Sequence, residues 1–408
     1  MPPAPDPVAE TPGGSRRMGI APATRVPLAG RGINDLPRDA LLRVLSYLGA
    51  RQLVRTCVLS RQWRDLWRDV PRIKASREEF GPDADGGYEE RNPLFKKFVN
   101  HLLMLRNPVA LDEFRLYHYI GSQHQADSAE ANLWIGHALL CNARSVEVAV
   151  WGYGLKIDSA VFTSQHLTTL MLCACNLTPG FFEHLQTGCK VLECLILQHC
   201  AIDDIEISSH TLKILFISTD SFFRSDDRAS ISIPSLKYLG FYGHAHGRIP
   251  LLENMESLVL AYVSVGRFEG TGIQVDVISQ FLWGLSGITE LDFNFVETEL
   301  NMEKNLQWCP TFNNLKFLTL GEWCLHADFY ALIVFLQNSP NLVNLTLNLK
   351  KPIDVPGRFR GELRERSFTC EQLKIVKIIC SERNPVVDSL EKFLVASGIT
   401  SGQIRISH

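Results

Sequence analysis

The sequence predicts an α/β chain in which a small three-helix module precedes a solenoid of parallel strands, with helices and loops on the convex side. Three observations carry that expectation. An arginine-rich helical segment covers residues 32–74, a hexamer of the form Leu-x-x-Leu-x-Leu recurs beyond residue 110, and the overall composition is that of a globular protein. Over 408 residues, apolar side chains make up 46% and charged ones 21%, which is far from the balance of a disordered chain. The formal net charge of −3 supports neither a general nucleic-acid binder nor a membrane-surface protein. No run of 18 apolar residues is present to span a membrane. The cysteines number 11 and are scattered, and a chain of this size has no need of a disulfide scaffold. Residues 1–30 hold seven prolines and no apolar stretch of a secretory kind. Reduced thiols and a cytoplasmic or nuclear location are therefore expected, and the sequons at Asn176 and Asn344 would matter only after export.

Residues 1–31 are rich in Pro, Gly and Ala and offer too little to bury to offset their ordering entropy, so a disordered tail is expected there. The next segment is strongly basic: nine arginines from Arg31 onward plus Lys74 stand against Asp35, Asp39, Asp65 and Asp69, a local net of +6. Pro37 suits a first helical position. After it, Leu41, Val44, Leu45 and Leu48 fall at i, i+3, i+4 and i+7, with Leu42 widening the stripe and Gly49 as a stop. A second helix is expected from Gln52 to Cys57 and a third from Ser60 to Trp67, with Trp63, Leu66 and Trp67 on one face. A unit this short cannot sequester so many leucines and two tryptophans alone, which implies a partner surface.

The run Leu36-Pro37, Leu41-Leu42, Val44-Leu45-Ser46, Leu48 and Val58-Leu59-Ser60-Arg61-Gln62-Trp63-Arg64-Asp65-Leu66-Trp67 closely resembles an F-box. The Arg55–Arg61 stretch and the Trp-x-x-Leu-Trp ending are similar to plant F-box/leucine-rich-repeat families. The resemblance implies docking to the Skp-type adaptor of a cullin-based (SCF) ubiquitin ligase. It implies adaptor contacts at Leu36, Pro37, Leu42, Leu45, Leu48, Val58 and Trp63. The competing reading of several of these leucines is that they close the small helical core, with Leu36-Pro37 and the exposed edge of the first helix left as interface. The basic balance would suit an acidic adaptor and chiefly raise the association rate.

The hexamer is clearest at Leu167, Leu192, Leu212, Leu236, Leu315 and Leu342, and weaker copies start at Leu111, Ala143, Met255, Ile288 and Leu373. The spacing of these copies, 19 to 33 residues, surrounds the leucine-rich-repeat range. Fourth and sixth positions of each copy point the same way on a short strand, so stacking the strands in parallel buries one continuous face. The array is expected over 111–380. Helices are expected at Asn92–Leu105, within a linker and cap over 75–110, and on the convex side at Pro179–Leu185, Val277–Leu285 and Phe329–Gln337. Val386–Ala396 and Gln403–Ile406 would close the far end within 381–408. Leu373–Ile379 faintly resembles the start of the FBD region of related plant proteins.

No catalytic constellation emerges, so a non-catalytic subunit without cofactor is expected. Cys173-x-Cys175 with His199-Cys200 invites a zinc site, but Cys175 and Cys200 fall at the ninth repeat position, where the consensus places Asn or Cys, and burial explains them better. His244-x-His246, Gly270-Thr271-Gly272, Glu89/Glu90 and Glu297/Glu299 read as loop features. The basic cluster over 350–366 could hold a phosphate but reads better as a charged loop.

What would read a target is the opposite strand face, at positions three, five and seven of each copy. It is apolar and aromatic at Met171, Cys194, Ile196, Phe216, Tyr238 and Tyr242, and polar further on at Glu290, Asp292, Asn294, Asn344, Thr346 and Asn348. The resulting expectation is a substrate-recognition subunit that binds a Skp-type adaptor, through it a cullin scaffold, and a protein target. The alternatives are a ligand-gated receptor for a small plant signal and a scaffold that degrades nothing.

Overall fold

The computed structural model describes residues 33–81, 92–152, 154–218, 221–225, 227–243, 249–266, 277–296, 309–349, 368, 370–381 and 386–407. The tail 1–31, Glu89/Glu90, His244 and His246, Gly270–Gly272, Glu297/Glu299 and the basic cluster 350–366 lie outside these residues.

Thirteen parallel strands form one sheet in strict chain order. It opens with β1 (Arg72–Ser76), β2 (Glu113–Ile120) and β3 (Ser145–Gly152) and ends with Ile404–Ser407. The hexamers set its register: their third residues face one another across successive strands, as in Ser145↔Thr169, Thr169↔Cys194, Cys194↔Ile214 and Ile214↔Tyr238. Fourth and sixth positions then point into the core. Leu170, Leu172, Leu195, Leu197, Leu215, Ile217, Leu239 and Phe241 are all at most 2% exposed. Beyond each strand the chain turns. Two smaller parallel ladders line that turn, one through Leu155–Ile157, Cys175–Leu177, Ala201–Ile202 and Phe222–Phe223, the other through Glu206–Ser208, Ser230–Ser232 and Leu251–Glu253. Ala174 and His199, at the eighth position of their copies, take left-handed backbone conformations to make the turn.

The structure changes four expectations. The copy placed at Met255 slips by three residues. Leu260 pairs with Tyr238 and Glu290, so the copy begins at Leu258 and buries Ala261 and Val263. The sheet also starts earlier than residue 111, because β1 pairs with β2 and seats Val70, Ile73 and Ala75 in the first, fourth and sixth places. The expected boundary at residue 74 therefore falls inside a strand, and at the other end Ile404–Ser407 adds to the sheet beyond residue 380. The third helix does not form. Trp63, Leu66 and Arg68 bond back three residues to Ser60, Trp63 and Asp65, and the segment ends as a 3₁₀ turn over Leu66–Asp69. Three-residue turns eclipse side chains at i and i+3, which drives Trp63 and Leu66 into the same core.

The other helices of the front segment are α1 (Arg38–Leu45) and α2 (Ala50–Arg55). They close a small core of Leu41, Leu45, Leu53, Trp63, Leu66, Trp67 and Val70. Glu79 ties this core to the sheet. Its carboxylate accepts from the N–H of Arg51 (3.1 Å) and Gln52 (3.5 Å) at the α2 N-terminus, where a negative charge is favoured. A Cβ at Gly49 would lie 2.1 Å from Glu79 Oε1, so a larger residue at that cap would displace the Glu79 carboxylate. The Arg51 guanidinium donates to the Glu79 carbonyl and lies 4.6 Å over the Phe80 ring. Helix α3 (Asn92–Leu105) buries Phe95, Val99, Leu102 and Leu103, and Arg106 after it donates to the Val70 carbonyl at 2.7 Å.

Helix α4 (His124–Leu140) packs on β2 and on Leu155–Ile157 and has no counterpart among the expected elements. Further helices occupy Phe181–Gly188, Val277–Gly284, His326–Gln337 and Val386–Ala396. No helix among the described residues is long and apolar enough to cross a membrane.

Between α3, α4 and β2 lies His118, fully buried, with its ring 5.1 Å from Phe95 and 5.5 Å from Trp134. Neither ring nitrogen has a hydrogen-bond partner among the described residues. Burial pushes its pKa down from 6.5 to about 4, with Lys96 and Arg77 adding to the fall and Asp127 opposing it. Because the folded value is depressed, the stabilising neutral state is fully held above pH 6.5 and lost as pH falls through 4. The shift corresponds to about 3 kcal/mol. His118→Phe should flatten the urea-midpoint profile across that window; an unchanged acid limb would place the titration elsewhere.

Candidate functional site

The first candidate surface lies on the helical front segment. Leu36, Pro37 and Val58 stand open to solvent, Val58 at 82% exposure. Leu42 and Leu48 are half-buried and pack against the core from its edge. Leu45 (1% exposed) and Trp63 (4%) are inside it, in keeping with the competing reading that several of these residues close the helical core. An eight-residue helix makes barely two turns, so α1 points Leu41 and Leu45 inward and leaves Val44 outside. Ile33, Val44, Tyr47 and Leu59 join the exposed apolar set, Tyr47 at 72%. Leu59 was legible in the same run as Val58; nothing in the spacing singles out Tyr47. Arg43, Arg55, Arg61 and Arg64 are exposed and lack a carboxylate partner among the described residues. The segment therefore offers apolar side chains within a field of free positive charge.

The second candidate is the open face of the large sheet. Pairing aligns Met171, Ile196, Phe216, Gly240, Tyr262 and Asp292 in one row across six strands. A parallel row carries Cys194, Ile214, Tyr238, Leu260 and Glu290. Phe216 stacks toward Tyr242 at 5.5 Å and Tyr238 toward Tyr262 at 5.6 Å. A Cβ at Gly240 would meet the Phe216 ring at 2.0 Å, so a glycine there lets the ring lie across its neighbour strand. Tyr262 escaped the sequence reading because of the three-residue slip. The signal that could have found it is Leu258-x-x-Ala261-x-Val263.

Charges at two places on this face behave differently. Near the start, Arg115 pairs with Glu113 (2.6 Å) and Glu147 (3.3 Å), Tyr117 Oη donates to Glu147 at 2.6 Å, and Lys74 lies over the Tyr117 ring. Further along, Glu290 and Asp292 have no hydrogen-bond or ion-pair partner among the described residues. Burial, and then the neighbouring Glu290, raises the Asp292 pKa to about 6. Tyr242 is pushed up to about 12, by burial first and then by the Asp292 charge. Asn344 and Thr346 continue the face as polar residues on the strand Asn344–Leu349.

Cys175 and Cys200 are buried at the turn, and Cys200 Sγ donates to the carbonyls of Leu172 (3.4 Å) and Gln198 (3.2 Å). Among the described residues no three His, Cys, Asp or Glu side chains are grouped to hold a metal.

The F-box domain family matches residues 33–74, the span of α1, α2 and the turns that carry Trp63 and Trp67. Beyond it, the chain is 27% identical over 361 residues to F-box/LRR-repeat protein 13 of Arabidopsis thaliana, covering 77% of this chain and 76% of that protein. It is 27% identical over 403 residues to the MEIOTIC F-BOX protein MOF of Oryza sativa subsp. japonica, covering 89% and 83%. An FBD-associated F-box protein of Arabidopsis thaliana is 25% identical over 350 residues, covering 77% and 76%. With a front segment that matches the F-box domain and a body that aligns over most of its length with these relatives, the chain is similar to plant F-box/leucine-rich-repeat proteins.

Proposed function

We propose that the chain is the substrate-recognition adaptor of an SCF-type ubiquitin ligase. Its F-box docks the Skp-type adaptor, the adaptor links it to a cullin scaffold, and the open strand face holds a protein target. The observation that carries the reading is a small helical core already closed by Leu41, Leu45, Leu53 and Trp63 that still leaves Ile33, Leu36, Val44, Tyr47, Val58 and Leu59 exposed. Side chains of that kind, clustered so densely along the chain, mark a surface that another subunit covers. The unpaired arginines around them favour an acidic partner.

The repeat body is read as a leucine-rich-repeat solenoid, supported by the unbroken register of the hexamers. Its work is effective concentration: it holds the target beside a ubiquitin carrier recruited through the adaptor, and the chain makes and breaks no bond itself. Met171, Ile196, Phe216, Tyr238, Tyr242, Glu290 and Asp292 are the proposed target-reading residues, with Tyr262 added.

Leu36→Asp combined with Val58→Asp should weaken capture of a purified Skp-type adaptor by about a hundredfold, with far-UV circular dichroism unchanged. Undiminished capture would remove the docking assignment. Trp63→Ala should act differently, costing about 3–5 kcal/mol of stability and exposing the front segment to limited proteolysis. On the strand face, joint replacement of Phe216, Tyr238 and Tyr242 by Ser should empty the set of cellular proteins captured under proteasome inhibition. The Skp-type adaptor should remain in that capture.

A further inference from the structure

The carboxylates of Glu290 and Asp292 occupy the third and fifth positions of one strand, so their side chains leave the same face. Asp292 sits beside Tyr262 on the next strand, and Tyr238 and Tyr242 lie one strand further. Three phenol rings and two carboxylates thus converge within two strand spacings, roughly 10 Å. Elsewhere on this face carboxylates are answered from within the chain, Glu113 and Glu147 both by Arg115. Among the described residues Glu290 and Asp292 are not, although Asp292 is partly withdrawn from water. Two like charges held together at a half-buried position are unfavourable unless an opposite charge joins them. The Tyr238 and Tyr262 rings, tilted 46° to one another, lie on the strands next to these carboxylates, and an aromatic ring attracts a cation as well.

Resting on the target-recognition reading above, we propose that this cluster is the specificity site for a cationic side chain of the protein target. The cation lies between the Tyr238 and Tyr262 rings and the carboxylates of Glu290 and Asp292. An arginine fits best, since its planar guanidinium both stacks on a ring and donates to two carboxylates. The neighbouring Met171, Ile196 and Phe216 row supplies the seat for an apolar residue adjacent to that cation. The recognised segment is thus apolar beside basic, and the rest of its sequence is unconstrained by this site.

The test is peptide display from a random library, selected on the full-length chain bound to its Skp-type adaptor. Selected peptides should be enriched in Arg or Lys next to Leu, Phe, Trp or Met. Individual peptides should bind Glu290→Gln/Asp292→Asn at least about tenfold more weakly, with adaptor binding intact. The charge-reversed pair Glu290→Lys/Asp292→Lys should instead select peptides rich in Asp or Glu. Recovery of no enriched peptide, or of peptides without basic residues, overturns the proposal. Peptides indifferent to the Glu290→Gln/Asp292→Asn pair but lost on Tyr238→Ser/Tyr262→Ser overturn the charge reading alone and leave the strand face as the target surface. Peptides indifferent to both pairs overturn the target surface as well.

Discussion

The parallel hydrogen-bond register is the constraint on which everything else in this molecule depends. Each strand is pinned to the next so that third positions stay aligned from Arg72 opposite Glu113 to Asn344 opposite Ile375. A slip of one residue anywhere would turn the core leucines outward and bury Glu147 or Asp292. The ladder persists because fourth and sixth positions are apolar in copy after copy, and each strand buries a face its neighbours share. The smaller ladders behind the turns follow from the same alignment, since Cys175 and Cys200, with Leu177 and Ile202 two places on, repeat at fixed distances from the strands they follow.

The alignment also creates surface chemistry. Residues far apart in the chain become lateral neighbours, so Met171 meets Ile196 and Tyr262 meets Asp292. The ring contacts of this face, Phe216 with Tyr242 and Tyr238 with Tyr262, form only across strands. The F-box follows the opposite rule. Its core and its exposed set interleave within a few residues, and Leu45 and Val44 differ only in which side of one short helix they occupy.

How much was readable from sequence follows from these two rules. Strands were legible because the hexamer carries their period. The Met255 copy misled because Leu258 and Leu260 satisfy either frame, while Ala261, which settles the frame, is too small to stand out. β1 was hidden by Pro71 and by the charges of Arg72 and Lys74, which alternate with Ile73 and Ala75. α4 was hidden for the reverse reason: Leu133, Trp134, Ile135, Leu139 and Leu140 are apolar all round, without the stripe that marks a helix. Resemblance named the F-box positions, yet it could not say that Leu45 and Trp63 turn inward. That depends on how many helical turns the segment actually makes and on its ending in 3₁₀ geometry. The carboxylates of Glu290 and Asp292 were visible as residues, whereas their lack of a counter-charge among the described residues is a property of three dimensions.

β1 belongs to two bodies at once. Val70 and Trp67 close the helical core immediately before it, and Ile73 and Ala75 are already layered into the sheet. With Glu79 and Arg106 bridging the same junction, the described residues leave no stretch of free backbone between the helical front segment and the sheet. Such an assembly moves as a lever rather than as a tethered pair. Under the proposed function, the lysines of a bound target would then be presented at a height set by how many strands separate its seat from the front segment, so the geometry of attachment would select which lysine is reached.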